Sequence, residues 1–165
     1  MTSKKVDKKT LVALIIKNLK QELSQAINAA NEAHAAAVDD QSVAETQYDT
    51  LAIEASYLAE GQSRRVQELQ EALISYQELN LVEFDENKPI ALSALVQLHA
   101  DSKKQHWFFI GPAAGGFRCE LNEQYITVIT PKSPIGIVLM REFEGESIDV
   151  MLGNGQLTDY IASVY

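Results

Sequence analysis

Two rhythms of apolar and polar positions divide this chain. In the first half, apolar or small residues fall at Val12, Ile16, Leu19, Leu23, Ala26, Ala30, Ala33 and Ala37, in alternating steps of four and three. That spacing is a heptad seam, which predicts a long helix with one buried stripe. A second run repeats it through Leu51, Ala55, Leu58, Gln62, Val66, Leu69, Leu73 and Tyr76, with Gln62 the imperfect member. Between the runs lies the polar break DDQSVAETQYD, residues 39–49. The pattern predicts an antiparallel coiled-coil hairpin over residues 1–79. Val12 would face Tyr76, the bend would lie near Val43, and the second helix would end near Leu79. Each arm of ~28 residues would be on the order of 40 Å long at ~1.5 Å per residue. The Lys-rich residues 1–9 are expected to fray.

The seam changes along its length. Near the base it is Val, Ile and Leu; toward the bend it is mostly Ala. Two readings stand. Alanine lets helices approach closely and makes a thin rod suited to a narrow channel, or it is there for its helix propensity alone.

After residue 79 the rhythm becomes two. Residues 80–90, NLVEFDENKPI, read as a linker, and residues 91–165 as a globular domain. ALSALVQLHA and HWFFIG read as two strands joined by polar DSKKQ. GPAAGG is a loop. FRCEL and QYITVIT form a hairpin around Asn122-Glu123. Ser133 is a candidate N-cap and Pro134 a first-turn residue for a short helix through Met140. SIDVML, a turn at Gly153-Asn154-Gly155, and LTDYIASVY complete the domain. The expected fold class is α+β: the hairpin, then a small antiparallel sheet with one short helix.

Composition narrows the setting. At 165 residues, 46% hydrophobic and 22% charged, the chain reads as one ordinary domain or two small ones of a soluble protein. No apolar run approaches the ~18 residues of a membrane span, and no signal peptide is read at the N-terminus. A single cysteine, Cys119, forms no internal disulfide and fits a reducing cytoplasm. The formal charge of -9 and pI near 4.8 argue against a general nucleic-acid binder.

That charge is concentrated. From Gln21 to Ser63 there is no Lys or Arg, yet Glu22, Glu32, Asp39, Asp40, Glu45, Asp49, Glu54 and Glu60 all fall there. Solvated helix faces usually alternate signs. Unpaired crowded carboxylates point to a partner that is positive or carries metal. The candidates at the bend are Asp39, Asp40 and Glu45, with Asp49 in reserve. Ser42-x-x-Glu45 also reads as a capping box for the second helix, which would occupy Glu45 structurally. Asp39 and Asp40 read equally as turn residues.

Elsewhere the chemistry is thin. His34 reads as an exposed helix residue. His99 and His106 flank the first sheet hairpin, and nothing in sequence pairs them with a nucleophile. Cys119 reads as a core thiol. GPAAGG lacks the Lys and following helix of a phosphate loop. Trp107, Phe108 and Phe109 read as core. Arg64 and Arg65 are placed to pair with acids across the seam or to face a partner. No nucleophile–base set is visible, so a stand-alone hydrolase is disfavoured.

The C-terminal stretch ITVITPKSPIGIVLMREFEGESIDVMLGNGQLTDYIASVY, with Ser133, Pro134, Ile135, Gly136, Gly145, Glu146, Tyr160 and Ile161, resembles the GreA/GreB transcript-cleavage factors of bacterial RNA polymerase. An N-terminal hairpin with an acidic tip is that family's other half. The resemblance implies an elongation factor, not itself an enzyme, with an FKBP-like globular domain that docks on polymerase through Ser133, Pro134, Ile135 and Gly136. The hairpin would enter the secondary channel of RNA polymerase. Asp40 and Glu45, with Asp39, would help hold a Mg²⁺ shared with the polymerase, so that the polymerase cleaves the 3′ end of backtracked nascent RNA. No cofactor is expected on the protein alone, and a cytoplasmic monomer without membrane contact is implied.

The pattern departs from the family at one place. The family tip pairs an Asp and a Glu three apart; here Ser42 and Glu45 take those positions, and Asp39 or Asp40 must supply the missing carboxylate. The family's basic residues around the tip also have no counterpart. Two rivals follow: a non-catalytic channel binder that modulates or inhibits polymerase, and a coiled-coil adaptor or chaperone unrelated to polymerase.

Overall fold

The computed structural model describes residues 5–43 and 49–165, with side chains described throughout except at 38–43, 49–52, 55 and 152. Two long helices come first, α1 (Lys8–Val43) and α2 (Asp49–Gln77). Six strands follow: β1 (Leu95–Leu98), β2 (His106–Ile110), β3 (Arg118–Leu121), β4 (Gln124–Ile129), β5 (Ser147–Leu152) and β6 (Gly155–Val164). A short helix α3 (Pro134–Leu139) lies between β4 and β5. The chain divides into two compact units. One is Ile16–Ile74; the other joins the residues up to Ile15 with Ser75–Tyr165. The α+β class expected from the sequence is what the chain adopts. Among the described residues no helix is long and apolar enough to cross a membrane.

Within the helical unit, Leu19, Ala26, Ala30, Ala33 and Ala37 of α1 and Ala59 and Leu69 of α2 are buried. Arg65 meets Glu22 at 2.9 Å, and the His34 ring meets the Ser63 hydroxyl at 3.2 Å, so both pairs link the two helices. The seam differs from the expected heptads by one residue in two places. Leu58 is 57% exposed, and Ala59 is buried instead. Leu11 and Ile15 are buried, while Val12 and Ile16 are only half-buried. A 3.6-residue helix drifts ~20° per heptad against a strict 3.5 repeat, so the buried stripe slips along α1.

The helix boundaries differ as well. α1 runs through Asp39, Asp40 and Ser42 to Val43, and α2 starts at Asp49. Ser42 therefore lies inside α1 and is not the N-cap of α2, contrary to the capping-box reading. The reason is local: residues 35–43, AAAVDDQSV, contain neither Gly nor Pro to stop a helix. Nor do residues 5–9 fray. Val6 is buried, and Asp7 caps α1 by accepting bonds from the Lys9 N–H at 3.2 Å and the Thr10 hydroxyl at 2.7 Å. The Thr10 bond is the main reason the Asp7 carboxyl sits below its ordinary range.

In the other unit the sheet order is β3-β4-β2-β1-β6-β5. All neighbours are antiparallel except β2 and β4, which run parallel with His106 beside Tyr125 and Ile110 beside Ile129. The small antiparallel sheet expected from the sequence thus contains one parallel pair. After β2 the chain passes to the outer edge as β3, so the returning β4 lies beside β2 in the same direction. The run His106–Ile110 is buried at four of its five positions, as befits a central strand covered on both faces. One face carries Val96, Leu98, Phe108, Ile110 and Ile129, packed with Leu139 of α3 and with Phe84 and Ile90. The other presents Leu95, Phe109, Ile126 and Val128, all buried.

Two glycines are required by what lies against them. A Cβ on Gly111 would collide with the Tyr76 hydroxyl, which donates a 2.6 Å bond to the Ala113 carbonyl. A Cβ on Gly136 would collide with the Thr130 carbonyl.

Candidate functional site

The acids expected at the bend fall at the ends of the two helices. Asp39 and Asp40 lie in the last two turns of α1, and Asp49 is the first residue of α2. Glu45 lies outside the described residues, and the side chains of Asp39, Asp40, Ser42 and Asp49 are not among those described. Backbone position alone has an electrostatic consequence. The C-terminus of a helix is the negative end of its dipole, where each carboxylate costs ~0.3–1 kcal/mol. The last turn of α1 contains no basic residue to offset it. Of the eight acids between Gln21 and Ser63, Glu22 has an arginine partner in Arg65, which lies just beyond that stretch.

The Ser-Pro-Ile-Gly motif is a helix-start device. Ser133 Oγ donates to the Thr130 carbonyl at 2.7 Å and accepts from the Gly136 N–H at 3.0 Å. Pro134 takes the first helical position. Gly136 is buried, and Ile135 packs against the core. Of the four residues, Pro134 is exposed, and the next residue, Ile137, is 63% exposed. Ser133 and Gly136 are thus used within the chain. A surface offered here consists of Pro134 and Ile137.

His106, unpaired in the sequence reading, lies between two polar side chains. Its Nε2 meets the Thr127 hydroxyl at 2.8 Å, and its Nδ1 lies 3.5 Å from an Asp101 oxygen. Pairing of β2 with β4 brings Thr127 to His106, whereas Asp101 comes from the connection just before β2. The chain of groups has the composition of a nucleophile–base–acid set. However, Thr127 sits mid-strand between Phe108 and Arg118. His99 stacks on Tyr160 and meets its hydroxyl at 2.8 Å. Cys119 is half-buried in edge strand β3 rather than in the core, and burial raises its thiol pKa, away from nucleophilic use. Trp107, Phe108 and Phe109 are core, with the Trp107 indole N–H donating to Gln124 at 2.7 Å. Among the described residues, no three His, Cys, Asp or Glu gather to hold a metal ion.

Sequence reasoning missed a lysine site at the start of α1. Lys8 is only 9% exposed. Its ammonium donates to the Val82 carbonyl at 2.7 Å and lies 4.9 Å from the Phe84 ring centre. Beside it opens a pocket of about 330 Å³. The signal available in sequence was Val6, an apolar residue inside a lysine run, followed by the capping pair Asp7 and Thr10.

The described residues form two units: a pair of long helices, with Asp39 and Asp40 near the end of one and Asp49 at the start of the other, and a six-stranded α+β unit. Solved structures with a similar course include one described as the transcription factor Gfh1, at 15% identity and a TM-score of 0.39, covering 91% of this chain and 92% of that one. Another is GreA factor homolog 1 (Gfh1) of Thermus thermophilus, at 17% identity and a TM-score of 0.37, covering 91% and 94%. A third is Gfh1 of Thermus aquaticus, at 16% identity and a TM-score of 0.33, covering 90% and 92%. No family model matches the chain, and no curated protein matches it.

Proposed function

We propose that the protein is an elongation factor of RNA polymerase, whose acidic hairpin turn enters the secondary channel and stimulates cleavage of backtracked RNA by the polymerase's own active site. The observation that carries this reading is the placement of Asp39 and Asp40. They sit at the negative end of α1, in a stretch with no cation from Gln21 to Ser63. Carboxylates that cost helix stability are accounted for by a partner that uses them. Asp40 and Glu45 supply the hard oxygen donors that Mg²⁺ takes, one or two carboxylates completing a site whose other ligands come from polymerase and RNA phosphates. Pro134 and Ile137 supply the exposed apolar contact for docking of the sheet unit.

The test is to add the protein and Mg²⁺ to a backtracked elongation complex and follow RNA length. Shortening above the polymerase-only rate is expected, with Asp40→Ala and Glu45→Ala each abolishing it while binding persists. A second reading, a channel binder that modulates polymerase without cleavage, is favoured by Ser42, which supplies no carboxylate where the resembled family has one. Binding and altered pausing without shortening would select it. Failure to bind polymerase at all would leave the adaptor reading.

A further inference from the structure

The proposed function leaves the pocket beside Lys8 unused, and its chemistry is specific. Lys5, Lys8 and Lys9 line it, together with Val82, Glu83 and Tyr165. A lysine ammonium has three donors, and the Val82 carbonyl takes one of those of Lys8. Among the described residues, no carboxylate stands within ion-pair distance of Lys8, although it is 9% exposed. Both acids at the pocket are engaged elsewhere. Asp7 caps α1 through the Lys9 N–H and the Thr10 hydroxyl, and Glu83 pairs with Lys5 at 3.2 Å. A buried charge without a counter-charge costs several kcal/mol in typical cases and is ordinarily paired. Burial lowers the Lys8 amine from its ordinary 10.5 to about 8, with nearby Glu83 only partly opposing that.

We propose that this pocket binds a small anion, phosphate- or carboxylate-bearing, with Lys8 as its counter-ion and Lys9 as a second donor at the rim. Lys5 lies at the rim, 5.0 Å from the Tyr165 ring centre, with its charge paired to Glu83. The volume of about 330 Å³ suits a small organic anion better than a bare ion, and it lies at the lower end of ordinary ligand sites. The inference does not depend on polymerase binding.

Thermal unfolding of the full chain tests it. The probes are inorganic phosphate, ribose 5-phosphate and succinate, each compared with NaCl at equal ionic strength. At least one probe should raise the Tm saturably beyond NaCl. Its apparent affinity should fall at least tenfold in Lys8→Met and in Lys9→Gln. Response to the two phosphates alone assigns a phosphate ligand; response to succinate alone assigns a carboxylate. Lys9 is exposed, so Lys9→Gln decides the matter if Lys8→Met fails to fold. The proposal is overturned if no probe exceeds NaCl, or if the variants that fold keep the full response.

Discussion

Replacing Lys8 by methionine should change how the stability of the protein depends on pH. In the folded chain the Lys8 amine titrates at about 8; unfolded, it returns to about 10.5. Below pH 8 both states carry the charge, and the folded state bears the full cost of holding it away from water. Between pH 8 and 10.5 the folded state has released its proton while the unfolded chain keeps its own, so stability rises with pH. At ~1.36 kcal/mol per pH unit the full difference would be about 3 kcal/mol, and solvent screening of the part-exposed ammonium reduces it to roughly 1–2 kcal/mol. In Lys8→Met this component is absent. Urea unfolding of both proteins at intervals from pH 7 to 10.5 isolates it. The stability of the native chain relative to the variant should climb by roughly 1–2 kcal/mol across that range. The lost bond to the Val82 carbonyl shifts the whole difference curve and leaves its pH dependence to the amine. Burial raises the Tyr76 and Tyr165 hydroxyls, so each favours the folded state less as pH rises past 10. Both tyrosines are present in the two proteins, and their effect cancels in the difference. A difference curve flat to within ~0.5 kcal/mol would refute the assignment of a buried, uncompensated ammonium.

Four further outcomes follow from backbone geometry and buried polar bonds. Gly136→Ala drives a Cβ into the Thr130 carbonyl and should cost at least about 3 kcal/mol, seen as a large fall in Tm. Gly61→Ala, inside α2 with nothing within 4 Å, should instead stabilise by about 1 kcal/mol. Tyr76→Phe removes the bond to the Ala113 carbonyl and should cost about 1–2 kcal/mol by chemical denaturation. Gly111→Ala should cost less in the Tyr76→Phe background than alone, because the hydroxyl its Cβ meets is gone. Simple additivity in that cycle would contradict the contact.

Much of the fold was legible because its signals are local. Seven-residue periodicity marked both helices, and alternation marked the strands. Asn122 and Glu123 form a tight turn with φ of 52° and 64°, as the Asn-Glu dipeptide between two strand patterns implied. Ser133 and Pro134 announced α3, because a cap and a first-turn proline act within four residues. Half of the candidate site was legible in the same way: the run of acids without cations is a property of composition along the chain.

What escaped the sequence depends on contacts between distant residues. The parallel pairing of β2 with β4 follows from where β3 sits, which alternation does not encode. The burial of Ala59 in place of Leu58 follows from which face of α2 meets its neighbours, which periodicity alone leaves one residue uncertain. The His106–Thr127 contact follows from strand pairing. Lys8 shows the division most clearly. Its sequence neighbours make it one of a solvated lysine run, and only the folding of Val82 and Phe84 over it turns it into a buried cation beside a pocket. By itself the sequence determined which segments are helix and strand and where the negative charge lies, since those are set within a few residues. The tertiary structure alone decided which charges lose their water, because desolvation is imposed by residues far away in the chain.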